Sequence, residues 1–241
     1  MQHVNAMGQP IGYPVHGWRV RPRPPRTPLE GRLCRLEPLD PDRHAADLHA
    51  GNCQASDARD WTYLSYGPFE TLDAYLAWAE QVAGTDDPLF HTIVDRVSGR
   101  AVGVASLMRI DPVNGAIEVG HIKYTPALQR TATATEAMYL LMGRVFEELG
   151  YRRYEWKCDA LNASSRAAAV RLGFIFEGIF RQASVYKDRN RDTAWFSIID
   201  REWPALKTAY TQWLSADNFD AHGRQRRRLG HLIEVARAAS P

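Results

Sequence analysis

The chain has 241 residues, of which 45% are hydrophobic and 24% are charged, and its 30 basic and 28 acidic residues give a net charge of +2. This composition is typical of a globular protein, the net charge gives no support to nucleic-acid binding, and no apolar run reaches the roughly 18 residues of a membrane span. The N-terminus lacks a secretory layout and the three cysteines lack metal or disulfide spacing, so we expect a cytoplasmic protein that binds neither metal nor membrane.

Residues 1–31 are rich in proline and arginine, and proline disfavours helices and central strands, so we predict an extended arm. Residues 32–214 hold the regular elements of the main domain. Residues 215–241 form a tail that we expect to be partly helical. Both ends carry apolar side chains that would gain by packing on the domain or on a second copy of it. We therefore predict ordered ends and a homodimer; the alternative is a monomer with disordered ends.

The first half of the domain is predicted to be mostly strands after two helices. The first helix starts at Asp40-Pro41, an N-cap followed by proline, and runs toward Cys53. Apolar residues at helical spacing predict the second helix over residues 71–83. The strands, separated by turn residues such as Asn114-Gly115, are expected over residues 32–36, 90–95, 101–110 and 116–124.

The second half alternates strands and helices. Thr133 and Glu136 are spaced as a capping box, and Gly150 ends the apolar stripe that follows. The remaining predicted elements are a strand over 154–158, a helix over 164–172, strands at 185–186 and 193–200, and a helix over 204–214. This order predicts an α/β fold, a mixed sheet with helices on both faces.

The stretch after Tyr124 is the most informative part of the chain. A predicted strand ends there, and a loop of small residues leads directly into a helix N-terminus. Such an end presents unpaired N–H groups and a partial positive charge, so it is suited to binding an anion. An ordinary capped helix would show the same features.

Several motifs here resemble those of the GNAT N-acetyltransferases, in particular the branch of the ribosomal-protein N-terminal acetyltransferases (RimJ/RimL-like). The family's pyrophosphate loop, Q/R-x-x-G-x-G/A, is matched by Gln129-Arg130-Thr131-Ala132-Thr133-Ala134, with Ala132 in place of the first glycine. Further matches follow in the family's order: Thr135-Glu136-Ala137, Asn162-Ala163-Ser164-Ser165, Leu172-Gly173-Phe174, Glu177-Gly178, Arg191-Asp192-Thr193 and Glu202-Trp203-Pro204. The resemblance covers about residues 31–214.

The resemblance implies a GNAT fold, with a mostly antiparallel central sheet whose strands splay apart at the cofactor site. It implies transfer of an acetyl group from acetyl-CoA to a primary amine by direct attack, without a metal. The amine would be a protein N-terminus or a small molecule. Alanine at position 132 is tolerated if that residue has helical φ, which we expect.

The same resemblance assigns cofactor contacts. The backbone of His121, Ile122, Lys123 and Tyr124 would pair with the pantetheine arm. The pyrophosphate loop with Thr135 would hold the phosphates, while Asn162 and Ser165 would lie beside the pantetheine. Some of these residues have other interpretations: Ile122 as core, Arg130 as a solvated charge, and Asn162 as a helix N-cap.

The chemistry requires a base for the amine and a donor for the leaving thiolate. Glu118 is the candidate base, with His121 as an alternative. Ser165 and Tyr186 are the candidate donors, although Tyr186 also fits a hairpin aromatic. Aromatic residues within 61–69 fit either the acceptor site or the core.

Two other functions fit parts of the sequence. One is a non-catalytic acyl-CoA sensor, which would keep the loop without a usable base. The other is an RNA-associated module that uses the basic residues 224–228, which also fit a solvated helical face.

Overall fold

The computed structural model describes residues 3–239. Strands of the described part are β1 (His3–Val4), β2 (Pro10–Ile11), β3 (Leu29–Glu30), β4 (Cys34–Pro38), β5 (Leu89–Asp95), β6 (Ala101–Asp111), β7 (Ala116–Tyr124), β8 (Arg153–Asp159), β9 (Ile175–Tyr186) and β10 (Arg189–Ile199). Its α-helices are α1 (Pro41–Asn52), α2 (Leu72–Ala83), α3 (Ala132–Gly143), α4 (Ala163–Arg171), α5 (Trp203–Leu214) and α6 (Leu229–Ala238). A π-helical turn, Arg144–Glu148, extends α3.

The central sheet has the order β3-β4-β5-β6-β7-β8-β10-β9, and β1 and β2 form a separate small hairpin. Neighbouring strands of the central sheet are antiparallel except for β7 and β8, which are parallel. The predicted mixed, mostly antiparallel sheet is therefore confirmed.

Helices cover both faces of this sheet, as predicted. The larger core lies between the sheet and α3, α5 and α6, and includes Val119, Leu141, Tyr154, Phe196, Leu206 and Leu232. The smaller core lies on the other face, under α1 and α2, and includes Leu48, Trp78, Phe90 and Val104. No helix within residues 3–239 has the length and apolarity needed to cross a membrane.

The edge strand β9 is much longer than the sequence indicated. We predicted a strand only at Val185-Tyr186, whereas β9 begins at Ile175. Nearly all of its side chains are exposed, so neither face of the strand packs on a core. The sequence therefore lacks the alternation of apolar and polar residues that identifies a half-buried strand. Lys187 and Asp188 both have positive φ, which is the geometry of a tight two-residue hairpin.

The described parts of the arm and of the tail make contacts with the main domain. In the arm, Trp18 donates from Nε1 to the Val113 carbonyl at 2.8 Å. The buried Arg144 donates to the carbonyls of Pro25 and Pro28 at 3.3 and 3.4 Å. In the tail, α6 contributes three buried side chains to the larger core: Leu229, Leu232 and Ile233.

Candidate active site

β7 and β8 separate at the centre of the sheet. Their parallel pairing extends from Ala116–Arg153 to Val119–Trp156, although both strands continue, β7 to Tyr124 and β8 to Asp159. The edge of β7 that faces β8 therefore has no strand partner along His121, Ile122, Lys123 and Tyr124. Backbone N–H and C=O groups on such an edge can pair with an extended ligand, although the Tyr124 carbonyl already accepts from Lys123 Nζ at 3.1 Å and from Gln129 Nε2 at 3.3 Å.

A β-bulge in β7 accompanies this separation. The register with β6 runs from Ser106–Gly120 to Val104–Lys123, so His121 and Ile122 together oppose the single residue Ala105. His121 carries the positive φ of 51°. Bulges bend a strand and increase its twist, so this one turns the end of β7 away from β8.

The loop after β7 enters α3 through Thr131. The Thr131 side chain accepts the Ala134 N–H at 3.1 Å and is the N-cap, so the predicted capping box of Thr133 and Glu136 is wrong. Glu136 is turned instead toward β4. Its carboxylate accepts three backbone N–H groups, from Arg32, Leu33 and Cys34, at 3.1, 2.6 and 2.9 Å.

Ala132 is the first residue of α3, so it has helical φ, as we expected for an alanine at this position. The left-handed residue of the loop is Arg130, with φ of 62°. The N–H groups of Ala132 and Thr133 precede the first intrahelical bonds and point out of the helix end. Thr135 Oγ1 accepts from Arg171 at 3.2 Å.

A residue that the sequence did not single out, Asp60, contacts two of the predicted cofactor residues. Gln129 donates from Nε2 to Asp60 Oδ2 at 2.6 Å, and Lys123 Nζ lies 3.6 Å from the same oxygen. The Lys123 side chain is buried, and burial lowers its pKa, although the Asp60 charge opposes this. The 3₁₀ turn Arg59–Trp61 that carries Asp60 therefore lies against β7 and the loop after it.

Glu118 is buried where the pairing of β7 and β8 ends. Its Oε2 accepts from Arg109 Nη1 at 3.1 Å and lies 3.0 Å from Lys157 Nζ. Burial raises the pKa of this carboxyl, whereas the charges of Lys157 and Arg109 lower it. Oε1 has no hydrogen-bond partner among the described residues, and a Cβ built on Gly120 would lie only 3.7 Å from it. One oxygen thus contacts the two cations, and the other lies unpaired near Gly120, the residue of β7 that follows the last pair with β8.

Lys157 connects Glu118 to a second carboxylate. Its Nζ lies 2.6 Å from Glu155 Oε2 and 3.9 Å from the centre of the Trp195 ring. The alternation of β8 places Glu155 and Lys157 on the same face, and the parallel register brings this face beside Glu118. The alternation of β8 can be read from the sequence. The pairing of β8 with β7, which brings Glu118 to Glu155 and Lys157, can be seen only in the folded structure.

His121 packs among aromatic side chains. Its ring centre lies 5.5 Å from that of Tyr66 and 5.0 Å from that of Phe90. Burial, together with the charges of Arg109 and Arg191, lowers the pKa of His121 to about 4. The imidazole is therefore neutral near pH 7.

The aromatic loop at residues 61–69 both packs on the smaller core and reaches across the separated strands. Tyr66 stacks on Trp78 at 4.9 Å, while Tyr63 donates to the Leu161 carbonyl, beyond the end of β8, at 3.2 Å. Lys187, in the β9–β10 turn, donates to the Trp61 and Gly67 carbonyls at 3.0 and 2.8 Å. The loop is thereby tied to the hairpin.

Asn162, Ser165 and Tyr186 lie at the end of β8. Asn162 is the N-cap of α4 and accepts the Ser165 N–H at 3.1 Å. Ser165 Oγ accepts from Trp156 Nε1 at 3.0 Å, and the Ser165 hydroxyl also contacts the Cys158 thiol. The Tyr186 hydroxyl donates to Asp159 Oδ2 at 2.8 Å. Burial and this contact raise the pKa of Tyr186 to about 12.

Within residues 3–239, no group of three His, Cys, Asp or Glu residues is arranged to hold a metal ion. The site thus consists of an open strand edge, a helix N-terminus and a buried carboxylate paired with two cations.

Comparisons with known proteins agree with this geometry. A family model described as "Acetyltransferase (GNAT) domain" matches residues 33–175. The Escherichia coli "Ribosomal-protein-serine acetyltransferase" is 31% identical over 42% of this chain and 56% of its own length. The Bacillus subtilis protein YdaF, named as a candidate ribosomal N-acetyltransferase, is 28% identical over 71% of this chain and 92% of its own.

A solved structure, a GCN5-related N-acetyltransferase from Brucella melitensis, is 48% identical and superposes with a TM-score of 0.89, covering 91% of this chain and all of that one. The chain therefore belongs to the GNAT acetyltransferase family and is an acyl-CoA-dependent N-acyltransferase.

Proposed function

We propose that this enzyme transfers the acetyl group of acetyl-CoA to the primary amine of a protein N-terminus. The observation that carries the proposal is the position of Glu118, a buried carboxylate with one free oxygen at the point where β7 and β8 separate. A base is needed there because an amine attacks a thioester only after losing its ammonium proton.

The residues present fit acetyl-CoA. The open edge of β7 at His121, Ile122, Lys123 and Tyr124 would pair with the pantetheine amides. The free N–H groups of Ala132 and Thr133 would meet the pyrophosphate, supported by the loop residues Gln129, Arg130, Thr131 and Ala134 and by Thr135. Asn162 and Ser165, at the start of α4, would flank the pantetheine. Acetyl-CoA supplies the activated acetyl thioester.

The chain's own groups would move the protons. Glu118 Oε1 accepts the ammonium proton, directly or through water, while Arg109 and Lys157 hold Oε2 and fix the orientation of the carboxylate. Neutral His121 is the alternative base. For the leaving thiolate, Ser165 is a better candidate than Tyr186, because the Tyr186 proton is donated to the charged Asp159 carboxylate, whereas the Ser165 hydroxyl contacts only the Cys158 thiol and the Trp156 N–H.

The acceptor assignment rests on the relatives. Both named relatives are described as acetyltransferases of ribosomal proteins, and an N-terminal amine is a primary amine of the required kind. The aromatic loop at residues 61–69, tied across the separated strands, would border the acceptor.

The experiment is to measure release of free CoA from acetyl-CoA with three acceptors: a peptide with a free N-terminus, the same peptide with a blocked N-terminus, and a small primary amine. We expect turnover with the first peptide only, with one acetyl group on its α-amine by mass spectrometry. Turnover with the small amine alone would contradict the protein N-terminus. Binding of acetyl-CoA without turnover of any acceptor would favour the sensor.

A further inference from the structure

A second concave site lies far from the separated strands. The N-terminal arm borders an open cleft of about 370 Å³, which we call the arm cavity; the side chains on which the inference depends are Tyr13, Trp18, Arg21, Arg152, Asp200 and Arg201. Arg152 directly precedes β8, and a Cβ on Gly115, just before β7, would overlap the Trp18 ring. The arm cavity is therefore at the starts of β7 and β8, whereas the candidate active site is at their ends.

The arm cavity carries positive charge that the protein does not neutralise. Arg21, Arg152 and Arg201 form no ion pair with any residue of the described part, in contrast to Arg153, which pairs with Glu155. Asp200 is the single carboxylate in the described lining, and its Oδ1 accepts the backbone N–H of Arg201 at 2.8 Å. An anion in the cavity would be near three guanidinium groups, and only the Asp200 carboxylate would compete with it for them.

Two of these guanidinium groups are held in place by aromatic rings. The centre of the Trp18 ring lies 4.6 Å from the Arg21 guanidinium and 5.8 Å from that of Arg152. Arg152 also donates from Nη2 to the Tyr13 hydroxyl at 3.1 Å. The Nε of Arg21 is buried without a hydrogen-bond partner among residues 3–239. Because this Nε is buried, a ligand would meet the terminal N–H groups of Arg21, which make no hydrogen bond with a described residue.

Guanidinium groups bind phosphate through paired N–H donors, and three of them together favour an anion with several acceptor oxygens. The cavity volume of about 370 Å³ lies at the low end of the roughly 300–1,000 Å³ of small-molecule sites, and it leaves room beyond one phosphate group. The Tyr13 ring, 56% exposed, offers an aromatic surface beside the arginines. Aromatic side chains of this kind stack on nucleic-acid bases.

We propose that the arm cavity binds a nucleoside phosphate, with Arg21, Arg152 and Arg201 around the phosphate and Tyr13 beside the base. A free nucleotide and one nucleotide unit of single-stranded RNA share this chemistry. The proposal concerns a local cluster and is compatible with the small net charge of the whole chain.

The test is calorimetric titration of the full chain with AMP, a short oligoadenylate or inorganic phosphate. One equivalent of acetyl-CoA is added beforehand to fill the candidate active site, with no excess, because acetyl-CoA is itself a nucleoside phosphate and would compete for the arm cavity. We expect AMP to bind, with weaker binding at higher salt, and the double variant R21Q/R201Q to lose about tenfold or more in affinity. The matched control is R224Q/R226Q, which removes the same charge from exposed tail positions and should bind AMP as the wild type does.

A second variant separates binding from folding of the arm. Arg201 is exposed and its side chain makes no hydrogen bond with a described residue, so Arg201→Gln should leave stability and acetyl transfer unchanged while weakening AMP binding severalfold. Tighter binding of oligoadenylate than of AMP would identify RNA as the source of the nucleotide; equal or weaker binding would identify a free nucleotide. The proposal is overturned if AMP does not bind, if phosphate binds as tightly as AMP, or if the tail control loses as much affinity as R21Q/R201Q.

Discussion

At the scale of single residues, the two oxygens of Glu118 have different surroundings. Oε2 is occupied by Arg109 and Lys157, and Oε1 is free beside Gly120. Burial alone would favour the protonated acid, which is useless as a base at neutral pH, and the cations oppose that effect. A carboxyl whose pKa is raised while it stays paired with cations is better suited to removing an ammonium proton than an exposed one.

Replacing Glu118 with Gln tests this role. We expect kcat to fall about a hundredfold or more because the amide cannot accept the ammonium proton, while acetyl-CoA affinity stays near that of the wild type. Steady-state kinetics and calorimetric titration with CoA measure the two quantities. An unchanged pH–rate profile in this variant would assign the role to His121 or to solvent.

Lys157 is predicted to set the pH at which Glu118 works. Its charge lowers the Glu118 pKa, so Lys157→Met should raise that pKa and move the acidic limb of the kcat/KM profile to higher pH. The matched control is Lys207→Met, which removes a charge paired with Glu147 on the surface and should leave the limb in place. A limb at the same pH in both variants would exclude electrostatic control of the base by Lys157.

At the scale of elements, the N-terminus of α3 is the predicted phosphate site. Thr133 is half-buried at the second helical position, and Thr133→Asp would place a negative charge among the free N–H groups. Saturation at about 100 times Kd stabilises a protein by about 2.7 kcal/mol, and we expect this variant to lose the resulting rise in Tm with acetyl-CoA. Ala74→Asp, in the exposed first turn of α2, is the control and should keep the shift. If acetyl-CoA raised the Tm of both variants as much as that of the wild type, the phosphates would not bind at the N-terminus of α3.

Elements with strong local signals were predictable from the sequence. The bounds of β7 agree with the prediction to the residue, because Asn114-Gly115 fixes its start and Pro126 follows its end. The start of α3 was placed two residues late, since Thr131 and Thr133 are equally good caps in isolation. β9 was mostly missed because exposed strands lack alternation.

The candidate site was predictable only in part. The sequence nominates Glu118 from its place on a predicted strand and the loop from its motif, but it gives no signal for Arg109, Lys157 or Asp60, which contact them. Arg109 reaches Glu118 through an irregular part of the β6–β7 register, between Met108 and Asp111, and no pattern in a single strand encodes such a shift. Asp60 contacts Gln129 across 69 residues of chain. Contacts of this kind arise only when distant segments pack together.

At the scale of the whole molecule, the tail is predicted to be part of the folding unit. Leu229, Leu232 and Ile233 are buried in the larger core, and each such side chain contributes about 1.5–3 kcal/mol. Ending the chain at Leu214 should therefore remove several kcal/mol of a net stability of about 5–15 kcal/mol. Deleting residues 1–12 is the control and should cost little, because their described side chains are nearly all exposed. Thermal unfolding that is equal for all three chains would contradict this.

The homodimer remains a prediction, now with a specific surface. The apolar side chains of the tail are used within the chain, whereas β9 is a sheet edge with several exposed ones: Ile175, Phe176, Ile179, Phe180 and Val185. A second copy can pair with such an edge in an antiparallel manner. Light scattering should give twice the chain mass of 27.3 kDa, and Phe180→Glu should give a monomer. Val97→Glu, at an exposed turn, is the control and should remain dimeric. A monomeric wild type would contradict the predicted homodimer.

The single parallel pairing divides the central sheet into two antiparallel blocks, β3–β7 and β8–β10, joined by a seam of four residue pairs. Few backbone hydrogen bonds join the two blocks across this seam, because the ladder is short and the strands beyond it are apart. A ligand lying between the separated strands would form hydrogen bonds with both blocks and so hold them together. Substrate binding would then make the whole sheet more rigid. Without a ligand, the two blocks would move relative to each other along the seam.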